Sequence, residues 1–302
     1  MGVILVFVDG FGLGRDDPET NPMARPGVLE NLEHWLGCRL LAHNFPRITA
    51  LGGGVAVDAT LGISGLPQSA TGQVTLFTGR NASALLGRHQ NGFPGARLQR
   101  LLAKYSIFRQ VRASGREAAF ANAFTAEYFA AVATGRWRYS ATTLAALAGG
   151  VRLRFLDDLM AGRAVYQDLT REGLRERGYD VPPASPEDCG LTLARLARDC
   201  AFCLFEYFQT DIAGHSRDPV LPPSRLHQLD RFLGSLLSAV DLSRDLVLVA
   251  SDHGNIEDLS TRSHTANPVP LLAFGPGQRA FLDGLESMVQ ITPRIMAAIE
   301  AS

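Results

Sequence analysis

Lysine is almost missing from this chain: Lys104 is the only one among 29 basic residues, and all the others are arginine. Arginine is the better bidentate partner for phosphate, although a base-composition bias in the coding sequence also produces this pattern. The formal net charge is only −1, so no global field recruits nucleic acid or an anionic membrane. Cysteine is scarce, with Cys38, Cys189, Cys200 and Cys203 the four examples. Cys200 and Cys203 form a C-x-x-C, but it enters an apolar strand without a partner pair or a helix start. It reads as buried thiols and not as a redox or zinc site. No stretch approaches the roughly 20 apolar residues of a membrane-spanning helix. Met1 to Asp9 is an apolar run of strand length, without the basic region and cleavage site of a secretory signal. A reducing cytoplasm, with neither nucleic acid nor membrane as partner, fits these absences. Nothing indicates an oligomeric state.

What is present is an ordinary globular balance, 46% hydrophobic and 20% charged over 302 residues, enough for a sizeable core. Four apolar runs, Val3–Val8, Ala201–Tyr207, Asp245–Ala250 and Val269–Phe274, lack clean alternation, as expected of parallel strands covered on both faces. Pro223–Val240 carries Leu226, Leu229, Leu233, Leu236 and Leu237 at the spacing of one helix face. The pattern predicts an α/β three-layer sandwich with a mostly parallel central sheet. Between about Ser83 and Asp188 the chain is arginine-rich and mostly helical in pattern, with one strand-like run, Glu117–Phe124. Turn-prone Asn91-Gly-Phe-Pro and Pro182-Pro-Ala-Ser-Pro flank it. This predicts a core of residues 1–83 and 189–302 interrupted by a smaller inserted α/β cap, 84–188, hinged near Ala82–Leu85 and Asp188–Leu191.

In open α/β sheets ligands bind beyond the carboxyl ends of the strands, and there the chemistry-bearing residues fall. One run ends at Asp9, another leads to Asp211 and His215, a third ends at Asp252-His253, and His264 precedes the fourth. Mixed carboxylate and imidazole ligands suit Mn²⁺, Zn²⁺ or Fe²⁺. Six are too many for one tetrahedral ion and right for two, which can hold the attacking and leaving oxygens of an in-line displacement. A nucleophile is supplied by Ser69, on a turn that feeds a helix-like segment whose amides favour an anion. Metal coordination is one way to activate such a serine.

These residues resemble the alkaline phosphatase superfamily, in particular its branch with cofactor-independent phosphoglycerate mutase and phosphopentomutase. The resemblance rests on Val8-Asp9-Gly10-Phe11-Gly12, Ser69-Ala-Thr-Gly72, Asp211-Ile-Ala-Gly-His215, Asp252-His253-Gly254-Asn255 and His264-Thr-Ala-Asn-Pro-Val-Pro270, in family order. It implies two divalent cations, Mn²⁺ favoured and Zn²⁺ the second choice. Asp211, His215 and His264 would hold one. Asp9, Asp252 and His253 would hold the other, with Ser69 as a metal-bound, phosphorylated nucleophile. The implied activity is phosphoryl transfer on a small phosphorylated metabolite, by a mutase or a phosphatase. Gln73 departs from the histidine usual at its position, and the insert is shorter than that of the phosphoglycerate mutases.

Competing readings are narrower. A noncatalytic phosphometabolite-binding protein would ordinarily have lost a ligand or the serine. A sulfatase wants C/S-x-P-x-R, which Ser69-Ala-Thr-Gly-Gln does not provide; a phosphodiesterase stays open. Gly10-Phe-Gly-Leu-Gly14 lacks dinucleotide-site spacing. Thr71 is the rival nucleophile. His89, at the mouth of the insert, and the Arg136-Trp-Arg138 pair are candidates to contact substrate, arginine supplying a fork for phosphate or carboxylate.

Overall fold

The computed structural model describes residues 1–216 and 218–301. Among the described residues nine strands form: β1 (Val3–Val8), β2 (Arg47–Ile48), β3 (Gly53–Val57), β4 (Ala118–Phe120), β5 (Ala123–Phe124), β6 (Arg154–Phe155), β7 (Phe202–Tyr207), β8 (Leu246–Ala250) and β9 (Val269–Phe274). Seven of them make one sheet in the order β2-β3-β9-β8-β1-β7-β4. β1 runs parallel to both of its neighbours, with Val3 opposite Phe202 and Leu246.

The strand alternation sorts the core into two layers. Val3, Leu5 and Phe7 pack with Phe202 and Leu204 on one face, under the helices Ser69–Thr78, Ile107–Ala113 and Ile291–Glu300. Ile4, Val6 and Val8 pack with Cys203, Phe205 and Tyr207 on the other, against Pro186–Ala197 and Leu221–Ala239. The leucines expected on one face of the latter helix are all buried. Because the central strands β1, β7, β8 and β9 are buried on both sides, sheet and helices close into the expected three-layer sandwich. Among the described residues no helix is long and apolar enough to cross a membrane.

Two expectations need correction. Val269–Phe274 is antiparallel to β8; burial on both faces is the same for either direction, so composition carried no signal. Residues 84–188 do not stand apart as one inserted unit. β4 is an edge strand of the main sheet, parallel to β7. Leu98, Leu102, Phe108, Val111 and Ala145 belong to the first core layer. Only part of the segment forms a separate lobe, around the two-stranded β5-β6 sheet and a small cluster of Ala123, Leu159, Ala164, Tyr166, Leu174 and Val181. The expected hinges fall inside the helices Ala82–Leu86 and Pro186–Ala197. An amphipathic pattern reports that a face is buried, not which partner buries it.

Candidate metal centre and nucleophile

The strand ends deliver the side chains. Asp9 follows β1, and its amide donates to Tyr207 O at 2.9 Å, which ties it to the end of β7. One residue after Tyr207 the chain turns into the helix Gln209–His215, carrying Asp211 and His215 one turn apart. Asp252 and His253 follow β8, and both are fully buried. The glycines around Asp9 keep the packing close. Gly10 has φ +67° and no room for a Cβ, which would lie 2.8 Å from Asp211 Oδ1; one on Gly12 would lie 2.4 Å from Glu257 Oε1.

Two groups of ligand atoms result. Asp211 Oδ1, His215 Nε2 and His264 Nε2 form a triangle with edges of 3.5, 3.2 and 3.5 Å. Beside it, His253 Nε2 lies 3.2 Å from Asp9 Oδ1 and 3.6 Å from Asp252 Oδ2. The His253 ring stacks on His264 with centroids 3.6 Å apart, so the two groups are contiguous. His253 also lies close enough to Asp211 and His264 to serve either group; the distances to His215 favour the division stated above.

The donor set fits divalent cations on three counts. His215 Nδ1 lies 2.7 Å from Arg262 O and His264 Nδ1 lies 2.9 Å from Pro67 O. A carbonyl can only accept, so both rings carry their proton on Nδ1 and point Nε2 lone pairs at one another, as ligating imidazoles do. Asp9 Oδ1 and Asp252 Oδ2 are buried without a hydrogen-bond partner. The electrostatics agree. Burial and then the Asp9 charge raise the pKa of Asp252 well above, and that of Asp211 above, the ordinary carboxylate value. On His253 burial works against the proton, yet Asp252 and Asp9 hold it up to about 10. Burial and the neighbouring His253 charge push His264 down to about 4. Three carboxylates so placed call for positive charge at this point.

Ser69 opens the helix Ser69–Thr78, with Gln68 as its N-cap. Its Oγ lies 3.0 Å from His253 Nε2, so the structure brings the expected nucleophile to the ligand cluster. Thr71 is engaged elsewhere. Its hydroxyl donates to Gln68 O and accepts from Gln90 N, at 3.1 and 3.2 Å, and is fully buried.

The other sequence candidates lie differently. Both ring nitrogens of His89 have protein partners, Ser83 Oγ at 3.2 Å and Ile63 O at 3.1 Å; it braces the loop that leads to Ser69. Arg136 and Arg138 are exposed beyond the helix Ala126–Ala133, and among the described residues the Arg136 side chain donates a hydrogen bond only to Thr134. A core loop such as residues 217–223 is the alternative place for substrate selection, and its Arg217 lies outside the described residues.

Sequence reasoning passed over two supporting side chains. Gln73 Nε2 donates to Asp9 Oδ2 at 3.0 Å, leaving Oδ1 facing His253. Glu257, nearly fully buried, accepts from Gly12 N at 3.1 Å, Asn255 N at 2.7 Å, Asn267 Nδ2 at 3.0 Å and the Thr265 hydroxyl. It joins the three loops that bear Asp9, Asp252-His253 and His264. An acid in an apolar loop, Asn255-Ile-Glu257, was its only sequence signal.

An α/β sandwich whose strand ends gather carboxylates, imidazoles and a serine at a helix start has the architecture of a metalloenzyme. The Metalloenzyme superfamily model matches residues 182–302, which contain five of the six expected ligands. The 2,3-bisphosphoglycerate-independent phosphoglycerate mutase of Thermococcus kodakarensis is 32% identical over 128 residues, 39% of this chain and 31% of that protein. The phosphopentomutase of a Methylobacterium species is 36% identical over 110 residues, 35% of this chain and 27% of that one. The chain thus matches less than a third of the length of these relatives. In fold it is similar to the alkaline phosphatase of the Antarctic bacterium TAB5, with a TM-score of 0.58 at 15% identity over 100% of this chain and 98% of that one. The PH0037 protein of Pyrococcus horikoshii is similar to the same degree, TM-score 0.58 and 16% identity over 100% and 97%. Residues 182–302 are thus similar to the Metalloenzyme superfamily, and the fold as a whole is similar to that of alkaline phosphatases.

Proposed function

We propose that the protein transfers the phosphoryl group of a small phosphomonoester through a phosphoserine at Ser69, using two divalent cations. The observation that carries this reading is Ser69 Oγ at 3.0 Å from His253 Nε2, at a helix N-terminus beside both ligand groups. Asp211, His215 and His264 would hold one cation, and Asp9, Asp252 and His253 the other, with Ser69 Oγ an additional ligand. Mn²⁺ is favoured by the mixed donor set, with Zn²⁺ second. When bound, such ions lower the pKa of a hydroxyl and neutralise phosphoryl oxygens.

The chain's own residues do the rest. The helix start of Ser69–Thr78 directs free amides at the phosphate. Ser69 Oγ attacks phosphorus as the bond to the ester oxygen breaks, and the serine proton leaves with the departing alcohol or solvent. The phosphoryl group then passes to water in a phosphatase, or to another oxygen of the retained molecule in a mutase. Retention needs a cover that excludes water. The bond between Gln167 of the lobe built on β5 and β6 and Gln209, two residues before Asp211, supports that lobe as the cover. The four free thiols support a reducing compartment such as the cytoplasm.

The test is turnover of an aryl phosphate with Mn²⁺, with phosphate release and isomer formation followed in parallel on a panel of phosphorylated metabolites. Ser69→Ala should lower kcat by about a thousandfold or more while both metal equivalents stay bound. Unimpaired turnover, or a trapped phosphoryl group mapping to Thr71, would show the nucleophile to be wrong.

A further inference from the structure

Arg136 and Arg138 do not converge on anything, but four other arginines do. A cavity of about 510 Å³ is lined by Arg152, Arg154, Arg163 and Arg195, with Glu117 and Asp199 among its remaining walls. It lies in the seam between the lobe and the sandwich, against the start of β4 and the turn into β7. The metal ligands follow the opposite ends of these strands, so the length of β7, roughly 20 Å, separates the two places.

The charges of this cavity do not cancel. Asp158 is shared by two arginines, Arg152 at 2.9 Å and Arg163 at 3.4 Å. Glu117 pairs with Arg112 at 3.6 Å. Among the described residues Arg154 and Arg195 have no carboxylate partner, and Asp199 is the only unpaired acid of the lining. Both guanidiniums are nevertheless held. Arg154 donates to Arg163 O at 2.7 Å and Phe120 O at 3.0 Å, and Arg195 donates to Thr192 Oγ1 at 3.0 Å. A planar fork fixed through some of its N–H groups presents the rest in a set geometry, which suits a tetrahedral or planar oxyanion.

We propose that this cavity is a second anion site, remote from the metal centre, that takes a small phosphate-bearing molecule between Arg154 of the lobe and Arg195 of the sandwich. A ligand bridging the two would pin the lobe to the core. The proposal is independent of the phosphoryl-transfer reading, since none of its residues touches a metal ligand.

The experiment titrates the metal-loaded protein with inorganic phosphate by calorimetry. Wild type should show two sites. Arg195→Gln, at an exposed helix position whose one side-chain hydrogen bond among the described residues goes to Thr192, should weaken one of them at least tenfold and leave aryl phosphatase turnover unchanged. Arg154→Gln should do the same. His264→Ala should instead remove the other site and spare this one. Wild type binding phosphate only in a manner that His264→Ala abolishes would overturn the proposal. So would an Arg195→Gln protein with both sites at wild-type affinity. Should Arg154→Gln fail to fold, Arg195→Gln alone decides the matter.

Discussion

Replacing Glu257 should loosen the metal centre without touching any ligand. Its carboxylate is the common acceptor for Gly12 N, Asn255 N, Thr265 Oγ1 and Asn267 Nδ2. In Glu257→Ala the hydroxyl and the amide can turn to other partners, but the two backbone N–H groups cannot. Each buried donor left unsatisfied costs about 1–3 kcal/mol, so with the cavity left behind the loss is about 4 kcal/mol. That is a large part of the 5–15 kcal/mol typical of a folded domain. Glu257→Gln keeps one oxygen for the backbone pair and offers its amide to Thr265, so about 1 kcal/mol is expected. Urea unfolding separates the two: at a slope of about 3 kcal/mol per molar, the alanine variant should unfold more than 1 M earlier and the glutamine variant within about 0.5 M of wild type. Mn²⁺ titration should show weaker binding in the alanine variant at both sites, because all three ligand loops relax. An alanine variant with wild-type midpoint and affinity would refute the role assigned to this carboxylate.

Gln73→Met, which keeps length but removes the donor to Asp9 Oδ2, should weaken one of two Mn²⁺ sites roughly tenfold, the scale of a hydrogen bond to a charged group. Gln73→His should recover much of it, and equal affinities in all three proteins would dismiss the contact. Glu206 is buried and held up to about 8, by burial first and also by the Asp9 charge, against a lowering bond from Thr142 at 2.7 Å. Below its unfolded value near 4.5 both states carry the proton. Between there and about 8 only the folded state does, so stability falls as pH rises, by up to roughly 5 kcal/mol. Glu206→Gln should flatten that slope in chemical denaturation between pH 5 and 8; an unchanged slope would count against it.

The strands were the most legible part of this chain. Val3–Val8 and Val269–Phe274 match β1 and β9 residue for residue, because an apolar run closed by Asp or Gly has few other outlets. The proposed ligand residues stood out for the same reason: a carboxylate directly after such a run has no apolar layer to enter. Strand direction was hidden, as was the membership of Ala118–Phe120 in the main sheet, since pairing partners leave no mark on local pattern. Glu257 and Gln73 were hidden because each role needs a distant partner: the donor Gly12 N, 245 positions from Glu257, and the acceptor Asp9, 64 positions from Gln73. The arginines misled because guanidinium density along the chain, at Arg136 and Arg138, says nothing of convergence in space.

The ligand order along the chain has a consequence for how the fold is held. One proposed cation draws on Asp9, at the first strand, and on Asp252 and His253, more than two hundred residues later. An ion there acts as a cross-link that only the native chain can accept, because an unfolded chain does not bring those groups together. By mass action it stabilises the folded form by about 4 kcal/mol at a thousandfold excess over its dissociation constant. During synthesis neither group of ligands is complete until His253 and then His264 have emerged, so β1 and β7 must be arranged with the carboxylate of Asp9 still unmatched. Metal supply would therefore set the lifetime of this protein as well as its chemistry, and the last quarter of the chain is where both are decided.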